Sequence, residues 1–147
     1  MKKFRYFELE EFIRSDTAKK KGIDNTPTFE VVENLAALVQ EILDPFRAAW
    51  GKAIRISSGY RCEKLNKAVG GSVTSAHLRG DAADLQSSGS FAAFRDFAVL
   101  WFQSTGTRFD QLLLEYDVKK KTCWLHISRK NSAGGQRGEI KVMEVNK

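Results

Sequence analysis

Ser75-Ala76-His77-Leu78-Arg79-Gly80-Asp81-Ala82-Ala83-Asp84 is the stretch on which the reading of this chain turns. His77 and Asp84 lie seven positions apart with Gly80 between them. A turn at Gly80, where the missing Cβ allows positive φ, returns both side chains to one point. The other histidine of the chain, His126, stands in Trp124-Leu125-His126-Ile127-Ser128, an apolar alternating run. A strand would fix its direction, as a rigid metal site requires. Catalytic zinc commonly takes three protein ligands and keeps a fourth position for water. His77, Asp84 and His126 can supply the three, so metal-assisted hydrolysis is the leading expectation.

Outward from this stretch, the pattern is helical first and strand-like later. Residues 8–20 read as one or two short helices, with Ser15 and Asp16 as a break or cap. Asp24-Asn25-Thr26-Pro27 reads as a turn. From Thr28 to Lys52, Val31, Leu35, Leu38, Val39, Ile42, Leu43 and Phe46 recur at helical spacing, with Pro45 set to kink or split the helix. Ala53–Ser57 alternates as a short strand, and Glu63–Val69 suits a turn or two of helix. A short strand is expected near Ala82–Leu85 and a helix over Phe91–Gln103. Phe109–Tyr116 and Thr122–Ser128 should form an antiparallel hairpin, and Glu139–Val145 a last strand. Helices ahead of a small antiparallel sheet define an α+β class, expected as one domain over residues 1–147.

Composition narrows the function. The chain has 147 residues, 42% hydrophobic and 29% charged, which suits a globular domain and not a disordered one. No run reaches the apolar length of a membrane span. The basic start Met1-Lys2-Lys3 is followed by Glu8, Glu10 and Glu11 and not by an apolar segment, so no signal peptide is read. Synthesis and retention in the cytoplasm are expected, unless something else releases the chain. Cys62 and Cys123 are too few for a disulfide framework and are expected as free, buried thiols. The net charge of +6 favours an anionic partner. The basic residues are dispersed, however, so a nucleic-acid role has only charge behind it.

Ser75-x-His77-x-x-Gly80-x-Ala82-x-Asp84 with Trp124-x-His126 resembles the zinc D-alanyl-D-alanine carboxypeptidase family, whose α+β fold is shared with the hedgehog signalling domain. Ser58-Gly59-Tyr60-Arg61, Asn66, Val69-Gly70-Gly71-Ser72 and Asp110–Glu115 share the likeness. Ser15-Asp16-Thr17-Ala18 and Gly22-Ile23-Asp24-Asn25 resemble short phage and bacterial members. The resemblance implies a Zn2+ metallopeptidase acting on a peptidoglycan stem peptide or its precursor, as a carboxypeptidase or an endopeptidase. The chain is expected to act as a monomer, with neither nucleic acid nor a membrane span involved. His77, Asp84 and His126 then match the family's zinc ligands. Arg61 matches an arginine that stabilises the tetrahedral oxyanion or holds a substrate carboxylate. Ser75 orients the substrate or braces the loop.

One position departs from the pattern. Many relatives carry an acidic general base three residues before the second histidine, where this chain has Cys123. Glu115 is the expected substitute. If Asp117 pairs with Thr122, Glu115 faces Trp124 and Leu113 faces His126, one diagonal step from Glu115 on a shared face. Asp117 is the reserve candidate, and Asp81 is expected to point to solvent. The competing reading is a non-catalytic zinc module of the same fold that binds peptide or wall polymer without cutting it.

Overall fold

A computed structural model describes residues 4–145. The basic start at Met1-Lys2-Lys3 lies outside the described residues. A 3-10 turn at Leu9–Phe12 leads into α1 (Asp16–Lys21), whose first turn is capped by Ser15 Oγ accepting from the Ala18 amide at 3.1 Å. The long apolar stripe then forms α2 (Phe29–Leu38), a π-helical segment (Val39–Leu43) and α3 (Asp44–Trp50). Pro45 sits in the first turn of α3, where a missing N–H costs nothing. The Asp44 amide reaches back five residues to the Val39 carbonyl. One extra residue in the turn thus absorbs the proline, and the helical path continues. Leu35, Leu38, Val39, Ile42, Leu43 and Phe46 all remain inaccessible to solvent.

Five strands follow, interrupted by two more helices: β1 (Ile54–Ser58), α4 (Glu63–Ala68), β2 (Ala82–Ser87), α5 (Phe91–Thr105), β3 (Gln111–Asp117), β4 (Thr122–Ser128) and β5 (Glu139–Glu144). The spatial order is β1-β2-β4-β3-β5. The sheet is mixed rather than wholly antiparallel, because β5 runs parallel to β3. The cause lies in the connection from β4. Residues 129–138 fold back on Asn131, whose carboxamide oxygen accepts the Ala133 and Gly135 amides. Arg137 then clamps Asp110. The chain therefore re-enters beside the start of β3 and must run alongside it.

Alternation along the strands divides the sheet into two faces. Ile54, Ile56, Ala83, Leu85, Leu112, Leu114, Leu125 and Ile127 enter the core with α2, α3 and α5. At its centre, Phe46 meets Phe94, Phe97, Trp101 and Phe102 at ring-centroid distances of 5.3–5.9 Å. The opposite face carries Asp84, Gln86, Glu115, Asp117, Trp124 and His126, and α4 with a 3-10 turn at Ala76–Arg79 flanks it. Among the described residues, no helix is long and apolar enough to cross a membrane.

Phe46→Ala should lower the unfolding free energy by about 3–5 kcal/mol, the usual cost of emptying an aromatic core site. Phe29→Ala, at a side chain 79% exposed, should change it by less than about 0.5 kcal/mol. Urea unfolding of both variants checks this. Equal losses would contradict the packing described.

Candidate metal centre

The histidine loop is built from local bonds. Ser75 Oγ accepts from the His77 amide at 3.2 Å and caps a 3-10 turn at Ala76–Arg79. Gly80 ends the turn at φ 76°, as the sequence requires. A Cβ there would fall 2.8 Å from the Val31 carbonyl oxygen, so the turn also seats the loop against α2. The chain then enters β2, where Asp84 lies directly opposite His126 of β4. On the other side of β4, Leu113 opposes His126, Glu115 opposes Trp124 and Asp117 opposes Thr122. This is the hairpin register expected from the sequence.

His77, Asp84 and His126 are all buried. Each offers a ligand atom, and these atoms lie within 4.8 Å of one another. His77 Nε2 is 3.3 Å from Asp84 Oδ1, and His126 Nδ1 is 3.0 Å from the same oxygen. The other ring nitrogen of His77, Nδ1, is 2.6 Å from the Gly59 carbonyl oxygen. An acceptor at that distance places the proton on Nδ1 and leaves the Nε2 lone pair turned inward. Outer hydrogen bonds of this kind commonly orient metal-binding imidazoles. Gly59 is required for it. A Cβ at Gly59 would overlap the backbone of Phe12, whose carbonyl accepts from the Tyr60 amide at 2.6 Å.

The electrostatics favour the ligand forms. Burial, partly offset by Asp84, pushes the His77 imidazole down to about 4, so it is neutral at neutral pH. Burial alone would raise the Asp84 carboxyl. The two histidines outweigh that effect and hold it well below the usual carboxylate range. A neutral imidazole and an ionised carboxylate are the states that metal coordination demands. Two imidazoles and a carboxylate suit a borderline divalent ion such as zinc, so the residues fit the metal that the motif implies.

Two polar groups stand beside this trio. Glu115 is buried, its Oε1 accepts from Trp124 Nε1 at 2.9 Å, and the same oxygen is 3.9 Å from His126 Nδ1. Arg61 is buried and donates through Nη2 to Ser75 Oγ at 3.3 Å. Its Nε makes no hydrogen bond. Burial lowers the guanidinium pKa, and Asp84 and Glu115 oppose that shift. Leaving a buried donor unpaired costs about 1–3 kcal/mol, so Nε is a donor available to a bound group.

Several expectations need correction. Asp81 does not point to solvent. It is buried, with Arg129 Nη2 at 3.1 Å and Arg79 Nε at 3.3 Å, because β2–β4 pairing carries Arg129 to its side. Asp117 is also buried, and its carboxylate accepts the Lys120 amide at 3.0 Å, closing the β3–β4 turn. Neither cysteine is buried. Cys62 is half-buried, with its sulfur accepting the Leu65 amide at 3.4 Å, and Cys123 is exposed. Cys123 also opposes Tyr116, on the sheet face away from His126. In this regular strand, an acid at position 123 would point away from the site. Asn25, which the sequence places in a turn and in the segment resembling short phage and bacterial members, is buried and bridges three segments. Its Nδ2 donates to the carbonyls of Ile13 at 2.8 Å and Tyr60 at 3.0 Å, and its Oδ1 accepts from the Cys62 amide at 2.8 Å. These bonds fix the backbone on both sides of Arg61. No local signal announces a partner 35 residues away.

The chain is thus α+β, with a buried His/Asp/His trio that could hold a metal ion. The family model for Peptidase M15 matches residues 5–117, and the chain belongs to that family of zinc-dependent peptidases. The match spans the histidine loop, Asp84 and Glu115, and ends before β4 and His126. No curated protein matches the chain.

Gly59→Ala should lower zinc affinity by about 10–100-fold by displacing the carbonyl that orients His77. Competition with a chromophoric chelator measures it, with circular dichroism to verify folding. A folded variant with unchanged affinity would remove Gly59 from the site.

Proposed function

We propose that this chain hydrolyses peptide bonds of peptidoglycan stem peptides, with His77, Asp84 and His126 as zinc ligands. The convergence of these three buried residues carries the reading. Membership of the M15 family and the likeness of the histidine loop to zinc D-alanyl-D-alanine carboxypeptidases support the choice of substrate. The net charge of +6 suits an anionic wall polymer.

Zinc held by His77, Asp84 and His126 would supply Lewis acidity at the scissile carbonyl and lower the pKa of a water toward about 7. Glu115 accepts the proton of the attacking water at its carboxylate and returns it to the leaving amine. Trp124 Nε1 holds Oε1 of that carboxylate at 2.9 Å, which limits its motion. Arg61 donates to the carbonyl oxygen as negative charge develops there. Ser75 Oγ accepts from both Arg61 Nη2 and the His77 amide, so one hydroxyl braces the oxyanion donor and a zinc ligand together.

The alternative, a zinc module that binds without cutting, draws its motive from Cys123. Glu115 weakens it, because a carboxylate already lies on the His126 face. Glu115→Gln keeps the shape and the Trp124 bond but cannot take a proton. This variant should retain zinc and lose about 10²–10⁴-fold in turnover. Mass spectrometry of digested stem peptides, with metal analysis of the same sample, reads both quantities. Unchanged turnover would remove Glu115 from the mechanism. A zinc-loaded parent chain that cleaves no stem peptide would favour the binding module.

A further inference from the structure

Positive charge is unevenly neutralised in the two clefts that flank the candidate metal centre. One cleft, of about 550 Å³, runs past Gln111 and Leu113 of β3 to the loop after β4. Its outer cations are already engaged. Arg137 is held by both Asp110 oxygens at 2.8 Å, and Arg79 Nε lies 3.3 Å from Asp81. The other cleft, of about 730 Å³, is walled by the start of α1, β1, α4 and the β3–β4 turn. Each of these parts brings a cation to it: Arg14 just ahead of α1, Arg55 of β1, Lys67 of α4 and Lys120 of the turn. All four are exposed. Among the described residues, none of them has a carboxylate at ion-pair distance. Arg55 bonds only the neutral carboxamide oxygen of Gln86, at 3.0 Å.

The acids on the same walls do little to offset this charge. Asp117 is buried and accepts the Lys120 amide at 3.0 Å. Asp84 belongs to the cluster with His77 and His126. Asp16, at the start of α1, is the exposed acid. The four cations are scattered along the sequence, and only the fold gathers them. α1 packs on α4, while Arg55 lies on the edge strand β1 and Lys120 stands beyond β2, where β3 turns into β4. They therefore line the length of the cleft and do not converge on one point.

Uncompensated like charges in a cleft draw anions, because low-dielectric walls focus the field. A row of cations from four elements suits an extended chain with repeated charges better than one small anion. Phosphodiester groups stay ionised, and Arg14 and Arg55 can each fork onto phosphate oxygens. Each phosphate contacted also releases a counterion, so such binding needs no apolar contact. Bases would find little here. Tyr60 is buried, which leaves Trp124 as the accessible aromatic ring among the wall residues, and a run of bases stacks on several rings.

We propose that this cleft binds a phosphodiester polymer without bases, held by Arg14, Arg55, Lys67 and Lys120. The polymer keeps the chain beside phosphate-rich material, with the candidate metal centre at the inner end of the same cleft. The proposal requires binding and not hydrolysis, so it stands apart from the peptidase reading.

The test titrates the full chain with a fluorescent glycerol phosphate oligomer, read by anisotropy. Raising salt from about 50 to about 200 mM should weaken binding about 10–100-fold, as contact with about four phosphates implies. Arg55→Glu with Lys120→Glu should raise the Kd about tenfold, and Lys67→Glu alone about threefold, in line with solvent-screened charge contacts. Arg95→Glu with Arg108→Glu makes the same change in net charge outside both clefts and should shift the Kd less than about twofold. Equal weakening by the two double variants would make the attraction a property of net charge and overturn the site. Tighter binding of single-stranded DNA or of polyglutamate of equal charge would overturn the choice of polymer, in favour of a nucleic acid or an acidic peptide. An oligomer that fails to bind at about 50 mM salt would overturn the proposal outright. Cleavage of stem peptides is measured separately, so none of these results touches the peptidase reading.

Discussion

The pairing of β2 with β4 that sets Asp84 opposite His126 is the constraint on which the rest of the site depends. Cross-strand neighbours stand about 4.5–5.5 Å apart at Cβ, near enough for one ion to bridge their side chains. The same alternation that sends Asp84 and His126 outward sends Ala83, Leu85, Leu125 and Ile127 into the core. A one-residue slip would bury two ionisable groups in hydrocarbon and expose four core side chains. Core packing therefore enforces the register that the chemistry uses. Burial of Phe46, Leu112 and Leu125 thus helps to hold Asp84 and His126 together.

His77 is held by a different means. It comes from a loop, and loops are less rigid than strands. Three features offset this. Ser75 caps its turn, Gly80 seats the turn against α2, and the Gly59 carbonyl fixes its ring. Arg61 depends on the same segment, since Gly59, Tyr60 and Arg61 leave β1 together. Asn25 ties that segment to the N-terminal 3-10 turn and α1 region through the Ile13 and Tyr60 carbonyls and the Cys62 amide. The first helices thus serve the site although none of their side chains joins the cluster of His77, Asp84 and His126.

Much of this was legible because it follows from periodicity and from side-chain chemistry. The stripe from Val31 to Phe46 announced the core helix, and the two alternating runs after Phe109 announced the hairpin. Asp117 opposite Thr122 was enough to place Glu115 on the His126 face. What stayed hidden depends on distant partners. The parallel entry of β5 is set by a loop clamped through Arg137 and Asp110, which no pattern within Glu139–Val145 encodes. Asp81 read as a solvent-facing acid because Arg129, its partner, is 48 positions away. Cys123 read as buried because free thiols usually are, and its exposure at the β3–β4 end of the sheet is not marked by residue type. Pro45 gave two outcomes, and the chain found a third, a π-helical turn that keeps both halves on the core.

The proposed hydrolysis requires that His77, Asp84 and His126 bind a single divalent metal. Zinc titration of the metal-free chain, with X-ray absorption on the loaded protein, tests it most directly. One zinc per chain, bound through two imidazoles and a carboxylate and lost in His77→Ala and His126→Ala, is the predicted result. Zinc that fails to bind, or that binds equally well without these histidines, would contradict it.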